Sequence, residues 1–395
     1  STTGSGTIDL TGKNQNTDTQ SKGFEFVSGT ITGGSTGAVT ITGDSRGVAS
    51  STYTYIRGAL IGGTVTSAGG NISITGYGGA GVQYDYGVDL SGSVTTVGSG
   101  AINITGTAGA GGSGGNVGVI TSGTGTISSV NGAIAITGTG GLGSGAQIRD
   151  HGVQIGGTNA IRASGTGDIN VTGTATNNDN GYSQGVLVST GGLNTNSGNI
   201  KIDGKTLLNY QVAANISAAV TSTTGNVYVR SAGANITNTA AITGNNISID
   251  NTGGTIDANG VITSGAGGAS TWAGVISQNG IDIKGSITAT NNINIYGNQT
   301  GLDAGVKLSG AGVTVSGKNI TLYGKSSTGN GVLLSGSTLS GAYLNATGFT
   351  NTGYTGFAWQ GGTINTTGTN GTSTASVIKG ISAASTTASN GYGAL

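Results

Sequence analysis

A chain of 395 residues with 83 Gly, no Pro, Cys or Met and only 7% charged residues lacks the long apolar side chains that fill a thick globular core. Lys plus Arg and Asp plus Glu balance at 14 each, so no basic stripe is present to displace counterions, and no nucleic-acid partner is expected. The absence of Cys excludes disulfides and thiolate metal sites, and no run approaches the roughly 18–20 apolar residues of a membrane span. Recurrent Ile, Val and Thr, with zero net charge, argue equally against disorder.

In chain order, the first recurring string is Gly-x-[Ile/Val]-x-apolar-x-Gly. It reads GTIDLTG from Gly6, GAVTITG from Gly37, GNISITG from Gly70, GAINITG from Gly100, GAIAITG from Gly132, GDINVTG from Gly167 and GNIKIDG from Gly198. Its first apolar residues are Ile8, Val39, Ile72, Ile102, Ile134, Ile169 and Ile200, about 31 residues apart, a solenoid period. Strict alternation makes each string a short strand with its aliphatic side chains on one face. A second string follows each first: GFEFVSG from Gly23, GALIGG from Gly58, GVDLSG from Gly87, GVITSG from Gly118, GVQIGG from Gly152 and GVLVST from Gly185. It returns as GVKLSG from Gly305, GVLLSG from Gly331 and GFAWQGG from Gly356. A weaker third strand comes next, at Thr30-Ile31-Thr32, Thr64-Val65-Thr66, Ser93-Val94-Thr95 and Val313-Thr314-Val315.

Three strands per period predict an all-β, right-handed parallel β-helix, a β-solenoid without a separate globular domain. One solenoid is expected over 1–395: regular coils over 1–204, shorter coils over 205–268 and irregular coils over 269–395. In the segment from Ala234 to Ile262 the period falls to about 20 residues, and after Ile281 the strands IDIKG, INIYG and ITLYG recur unevenly. About 13 coils stacked at ~4.8 Å give a rod of about 60–65 Å. Gly at the string ends is expected to supply positive φ at the corners. Pro would remove a donor that the neighbouring coil needs, which fits its absence.

The serial GxIxITG and GVxLSG strings and the Asn-rich stretch ANITNTAAITGNNISIDNTGGTIDANG resemble passengers of the filamentous haemagglutinin type. These are large bacterial exoproteins of two-partner secretion and related autotransporter adhesins. The resemblance covers nearly the whole chain. It implies a β-helix at the cell surface or in the extracellular matrix, secreted, and acting in adhesion, aggregation or biofilm matrix building. The Asn-Pro-Asn signatures of that family's secretion domain cannot occur in a chain without Pro. The expectation is therefore a repeat segment of a larger exoprotein or a separate subunit with similar coils. Ser1-Thr2-Thr3-Gly4 shows no leader, so export would require one already removed. Coil strings run from Gly6 to about Ile378 without a capping helix, which suggests either part of a longer rod or head-to-tail stacking into filaments.

No catalytic, cofactor-binding or metal-binding residue is assigned, and the chain is expected not to be an enzyme. The one His, His151 in Arg149-Asp150-His151, reads as an outward turn residue, since strand neighbours point to opposite faces. The alternative is a polysaccharide lyase or hydrolase on the same scaffold. That would need grouped carboxylates, whereas Glu25 is the single Glu and Asp85, Asp89 and Asp150 read as different coil positions. Glycine-rich runs at Gly78 to Val82 and Gly109 to Gly115 lack the Lys-Ser/Thr of a phosphate loop and read as turns. An ice-binding face would need paired Thr columns. Only the second of the two outward positions, Thr11, Thr42, Thr75, Thr105, Thr137 and Thr172, is consistently Thr. Sequons at Asn71, Asn103, Asn170, Asn235, Asn246 and Asn319 mostly reflect the strand motif itself.

The candidate surface residues are aromatic: Tyr53, Tyr55, Tyr84, Tyr86 and Tyr182. Counted back from Ala59, Val88 and Val186, residues Tyr55, Tyr84 and Tyr182 share one coil position. Two readings stay open: stacking against sugar rings, a host or neighbouring cell surface or another filament, or simple cover for the solenoid corner.

Overall fold

The computed structural model describes residues 1–16, 21–143, 149–159, 161–176, 182–207, 211–264, 272–277, 280–299, 303–351, 354–367 and 376–382. Parts of the shorter-coil and irregular-coil segments, including 208–210, 265–268 and 383–395, lie outside them. Among the described residues every regular element is a strand and the strand ladders are parallel, so the fold is an all-β parallel solenoid. No helix there is long and apolar enough to cross a membrane. Contact density divides the chain into two units, Ser1–Gly225 and Asn226–Leu395.

In the first unit the three strings form three ladders. The first-string residues Ile8, Val39, Ile72, Ile102, Ile134, Ile169 and Ile200 are successive Cα partners. So are the second-string residues Phe24, Ala59, Val88, Val119, Val153, Val186 and Ala214. The third strand pairs Ile31, Val65, Val94 and Ile127 in series, then Ile161, Leu193 and Val220. A register slip of one residue would turn every aliphatic outward, so alternation in the sequence fixes the stacking. Ile72, Ile74, Ile102, Ile104, Ile134 and Ile136 are fully buried. Each contributes about 1.5–3 kcal/mol of burial that a lone coil could not obtain. Where the third strand turns back to the first, small hydroxyls replace aliphatics. Buried Ser67, Thr96 and Ser222 donate to the carbonyls of Gly34, Gly100 and Gly198 at 3.2, 2.8 and 2.7 Å.

In the second unit Val227, Ile236 and Ile242 pair with Ile247, Ile256 and Ile262, a step of 20 residues on all three faces, as the sequence period predicts. Later coils lengthen unevenly: Ile293 pairs with Ile320, Ile320 with Leu344, and Val332 with Phe357. The long strands Thr314–Ser326 and Val332–Thr350 run through corners that separate strands elsewhere.

The longer coils of the first unit owe their extra length to one place. Between the first and second strands the chain leaves the coil over Ser45 to Ile56, Gly78 to Tyr86 and Ala108 to Val117, and then returns. These excursions stack on each other as a side lobe. Ala49 bridges Ala80, the Ala80 N–H donates to the Val48 carbonyl (2.8 Å), and Val48 and Ile56 are fully buried. In the shorter coils the strands Val227–Ala232 and Asn235–Asn238 follow almost directly, so the lobe is absent there.

The role expected for the string-end glycines needs a correction. Gly76, Gly106 and Gly138, which close the first string, do not have positive φ. They sit where the chain leaves for the lobe and meet the glycine at which it returns. A Cβ on Gly106 would collide with the Gly118 carbonyl and crowd Val119. Close backbone approach, not backbone conformation, selects glycine there. Among the closing glycines of the second string, Gly29, Gly123 and Gly157 behave as expected, with φ of +97°, +69° and +89°, whereas Gly63 and Gly92 do not have positive φ.

Candidate functional site

The corner that returns the chain from the lobe to the second strand carries the expected tyrosines. Tyr55 and Tyr84, each four residues before its strand anchor, are the only non-glycine residues with positive φ among the described residues, at 65° and 60°. An L-residue with a Cβ pays for this conformation; the cost is about 1–3 kcal/mol, and a bulky aromatic there is unusual. The next coil has Gly115 at that position, with φ +79°, then Arg149, then Tyr182. The rings of Tyr55 and Tyr84 stack with centroids 5.0 Å apart and planes 21° apart, while Tyr86 meets Tyr84 edge-on at 6.3 Å. Tyr53, Tyr55, Tyr84 and Tyr86 are half-buried and Tyr182 is exposed. The Arg57 guanidinium lies 4.9 Å from the Tyr55 ring centre and 5.7 Å from that of Tyr86, and its Nε is 2.9 Å from Asp89 Oδ2. Burial pushes both the Asp89 carboxyl and the Tyr86 hydroxyl up, while Arg57 opposes the shift on each.

The structure brings Tyr55 and Tyr84 together, as their spacing predicts, and places Tyr182 further along the same corner. Whether the rings are corner cover or contact surface can be decided by Tyr84→Gly. Glycine relieves the left-handed strain, while loss of the stack costs about 0.5–1.5 kcal/mol. Thermal unfolding is therefore expected to change by less than about 1 kcal/mol. A loss of about 3 kcal/mol would mark the ring as structural cover.

One position further along, the lobe contains a buried polar column that sequence reading missed. Asp85, Asn116, Asp150 and Ser183 each lie three residues before the anchors Val88, Val119, Val153 and Val186. All four are buried. The Asp85 N–H donates to Asn116 Oδ1 (3.0 Å), the Asn116 N–H to Asp150 Oδ1 (2.7 Å) and the Asp150 N–H to Ser183 Oγ (3.0 Å). The Asp85 carboxylate accepts the Ile56 and Gly81 N–H groups (3.0 and 2.7 Å), and Asp150 Oδ2 accepts that of Gly143 (2.7 Å). Desolvation outweighs the two bonds to Asp85 and, with Asp150 nearby, lifts its carboxyl to about 6. Asp85 and Asp150 thus share a coil position, contrary to the sequence expectation. The count back from the second string that aligns the tyrosines would have revealed this.

His151 also departs from expectation. It is not an outward turn residue but 3% exposed. Strand parity does not apply to it, because it lies in the turn before the strand Val153–Ile155. Its Nδ1 accepts the Gln184 N–H at 3.0 Å, which places the ring proton on Nε2. Burial, with Arg149 beside it, pulls its pKa down to about 4.

Two hollows open on this side of the first unit. One, of about 370 Å3, is lined by Tyr84, Tyr86, Ser113, Gly115, Arg149 and Gln154 among others. The second, of about 280 Å3, is lined by Arg149, His151, Gln154, Tyr182 and Gln184 among others. They share Arg149 and Gln154, and among the described residues no carboxylate lines either. Arg149 is exposed and has no ion-pair partner among the described residues.

Elsewhere the outward faces are simpler. The Thr column pairs in register from Thr11 through Thr42, Thr75, Thr105 and Thr137 to Thr172 and then meets Asp203. A second column, Thr107, Thr139 and Thr174, runs beside it for only three coils and gives way to Tyr77 and Lys205. Sequon residues Asn71 and Asn235 spend their side-chain oxygens on the Ala101 and Thr255 N–H groups of the next coil, both at 2.9 Å. In the second unit Tyr296 and Tyr323 are partners in one ladder with rings 6.3 Å apart. A hollow of about 220 Å3 there is edged by the charged residues Asp257, Asp282, Lys284, Asp303 and Lys307. Among the described residues no three His, Cys, Asp or Glu side chains are grouped so as to hold a metal ion. Comparison with family models, with curated proteins and with solved structures finds no match to this chain.

Proposed function

We propose that this chain is a secreted structural and adhesive solenoid of the bacterial cell surface or extracellular matrix, able to associate with its own kind, and that its contact surface is the tyrosine corner. The observation that carries this reading is the stacked Tyr55–Tyr84 pair on left-handed backbone, where glycine would cost nothing and serves in the next coil. Strain retained at an accessible corner points to a use for the side chain rather than to folding. A parallel solenoid repeats such a corner every ~4.8 Å, the spacing at which weak contacts sum along a polymer or a neighbouring fibre. A surface of Ser, Thr and Asn with zero net charge suits contact by hydrogen bonds and ring stacking.

This reading is preferred to a glycan-cleaving enzyme because the grouped carboxylates, Asp85 and Asp150, turn inward onto backbone N–H groups. Beads coated with the protein are expected to stick to bacterial cells or matrix polysaccharide. Tyr55→Ser with Tyr84→Ser should cut retention about tenfold, the loss of some 1.4 kcal/mol. Equal retention of both coats would overturn the contact surface. Negative-stain images holding only isolated particles at high concentration would remove self-association.

A further inference from the structure

We infer that the two hollows sharing Arg149 form one binding groove for an acidic oligosaccharide, its anionic group held by Arg149 and its sugar rings by Tyr84 and Tyr182. The inference rests on the adhesive reading and names a ligand class for its corner. Along this corner the successive side chains are Tyr84, none at Gly115, Arg149 and Tyr182. A Cβ on Gly115 would strike the Tyr84 ring, so the ring leans over a bare backbone and the space as far as Arg149 stays open. Tyr84 and Tyr182 stand three coil steps apart, about 14 Å at the solenoid repeat. A pyranose repeat is close to one coil step, so a trisaccharide laid over Gly115, Arg149 and Tyr182 has its middle sugar at Arg149, its last on Tyr182 and its first against the Tyr84 ring that leans over Gly115.

The groove chemistry selects the charge of the ligand. Arg149 lines both hollows, is exposed, and meets no carboxylate among the described residues, unlike Arg46 and Arg57, which are matched by Asp44 and Asp89. A guanidinium fork that meets no carboxylate among the described residues fits a carboxylate or a sulfate with two parallel bonds. The remaining polar lining includes Gln83, Ser113, Gln154, Gln184 and Asn215, uncharged hydroxyl and amide groups of the kind that read sugar hydroxyls.

Calorimetric titration of the whole chain with trigalacturonic acid, a sulfated galactan trisaccharide and neutral galactotriose tests this directly. At least one acidic trimer should bind about tenfold or more tighter than the neutral one, and the two acidic arms tell a uronate from a sulfate ester. Arg149→Gln should abolish that preference with an unchanged unfolding midpoint, and Tyr182→Ala should weaken acidic and neutral trimers alike. Equal affinity for all three sugars, or a preference that survives Arg149→Gln, would overturn the inference. No binding by any trimer would do so too, while the bead adhesion of Tyr55 and Tyr84 variants would stand or fall separately.

Discussion

Replacing Gly106 by Ala will lower local stability by about 3 kcal/mol or more, the top of the range for an inserted methyl in a packed interior. The added carbon would meet the carbonyl of Gly118 and a methyl of Val119, and the carbonyl cannot turn aside. That carbonyl accepts the Val88 N–H at 2.9 Å, and the Gly118 N–H is bound to the His151 carbonyl at 3.0 Å. Moving it means breaking rungs to both neighbouring coils. Gly112→Ala is the control. It sits in the lobe at ordinary φ, its nearest neighbour would be the Val82 carbonyl at 3.5 Å, and Ala there should be neutral or stabilise by about 0.4–1 kcal/mol. A stacked array does not unfold in one step, so the readout is amide exchange resolved along the chain. Protection should fall over Ile102–Thr107 and Val119–Thr121 and stay unchanged over Ile200–Lys205. Uniform loss, or none, would show that the glycine contact does not hold the coil closed.

The positions that were legible in the sequence are those where physics repeats itself. Each ladder needs one aliphatic facing in at every coil, so Ile72, Ile102 and Ile134 announce both strand and register by their spacing alone. Tyr55 and Tyr84 were found by the same count, because a corner returns at a fixed distance from its strand. The side lobe was not legible. Its buried positions include Ile56, Asp85, Asn116, Asp150 and Ser183, an aliphatic and four polar groups with no shared hydropathy. Burial there is sustained by hydrogen bonds handed from coil to coil, and a hydropathy pattern cannot register them. Alternation does not place His151 either, because the residue precedes the strand Val153–Ile155. The glycines that close the first string were recognised, but for the wrong cause, since crowding and positive φ leave the same letter in the sequence.

The lobe also sets an unusual dependence on pH. With its carboxyl raised to about 6 from 3.8, Asp85 keeps its proton in the folded chain over a range where the unfolded chain has released it. Stability from this group is therefore full below about pH 4 and declines as the pH rises to about 6. His151, lowered to about 4 from 6.5, does the reverse, because the unfolded chain binds a proton that the folded chain refuses. Its contribution is full above about pH 6.5 and is lost as the pH falls to about 4. Each shift is worth about 3 kcal/mol over nearly the same window, so the two slopes offset one another in the native chain. Asp44, held near 2 by Arg46, has completed its change below this window. Urea unfolding, followed by exchange of the lobe amides between pH 4 and 6.5, gives the native slope, to which Asp89, also raised by burial, adds in the carboxyl sense; each variant is read as its change from that slope. Asp85→Asn leaves the histidine slope uncovered, so relative to the native protein lobe stability should rise by about 3 kcal/mol from pH 4 to 6.5. His151→Gln leaves the carboxyl slope, and relative stability should fall by a similar amount over the same range. Both variants lose a pH-independent increment from altered hydrogen bonds, but only the sign of the change in slope carries the argument. Changes of the same sign in the two variants would mean that burial of Asp85 and His151 does not set their protonation in the folded chain.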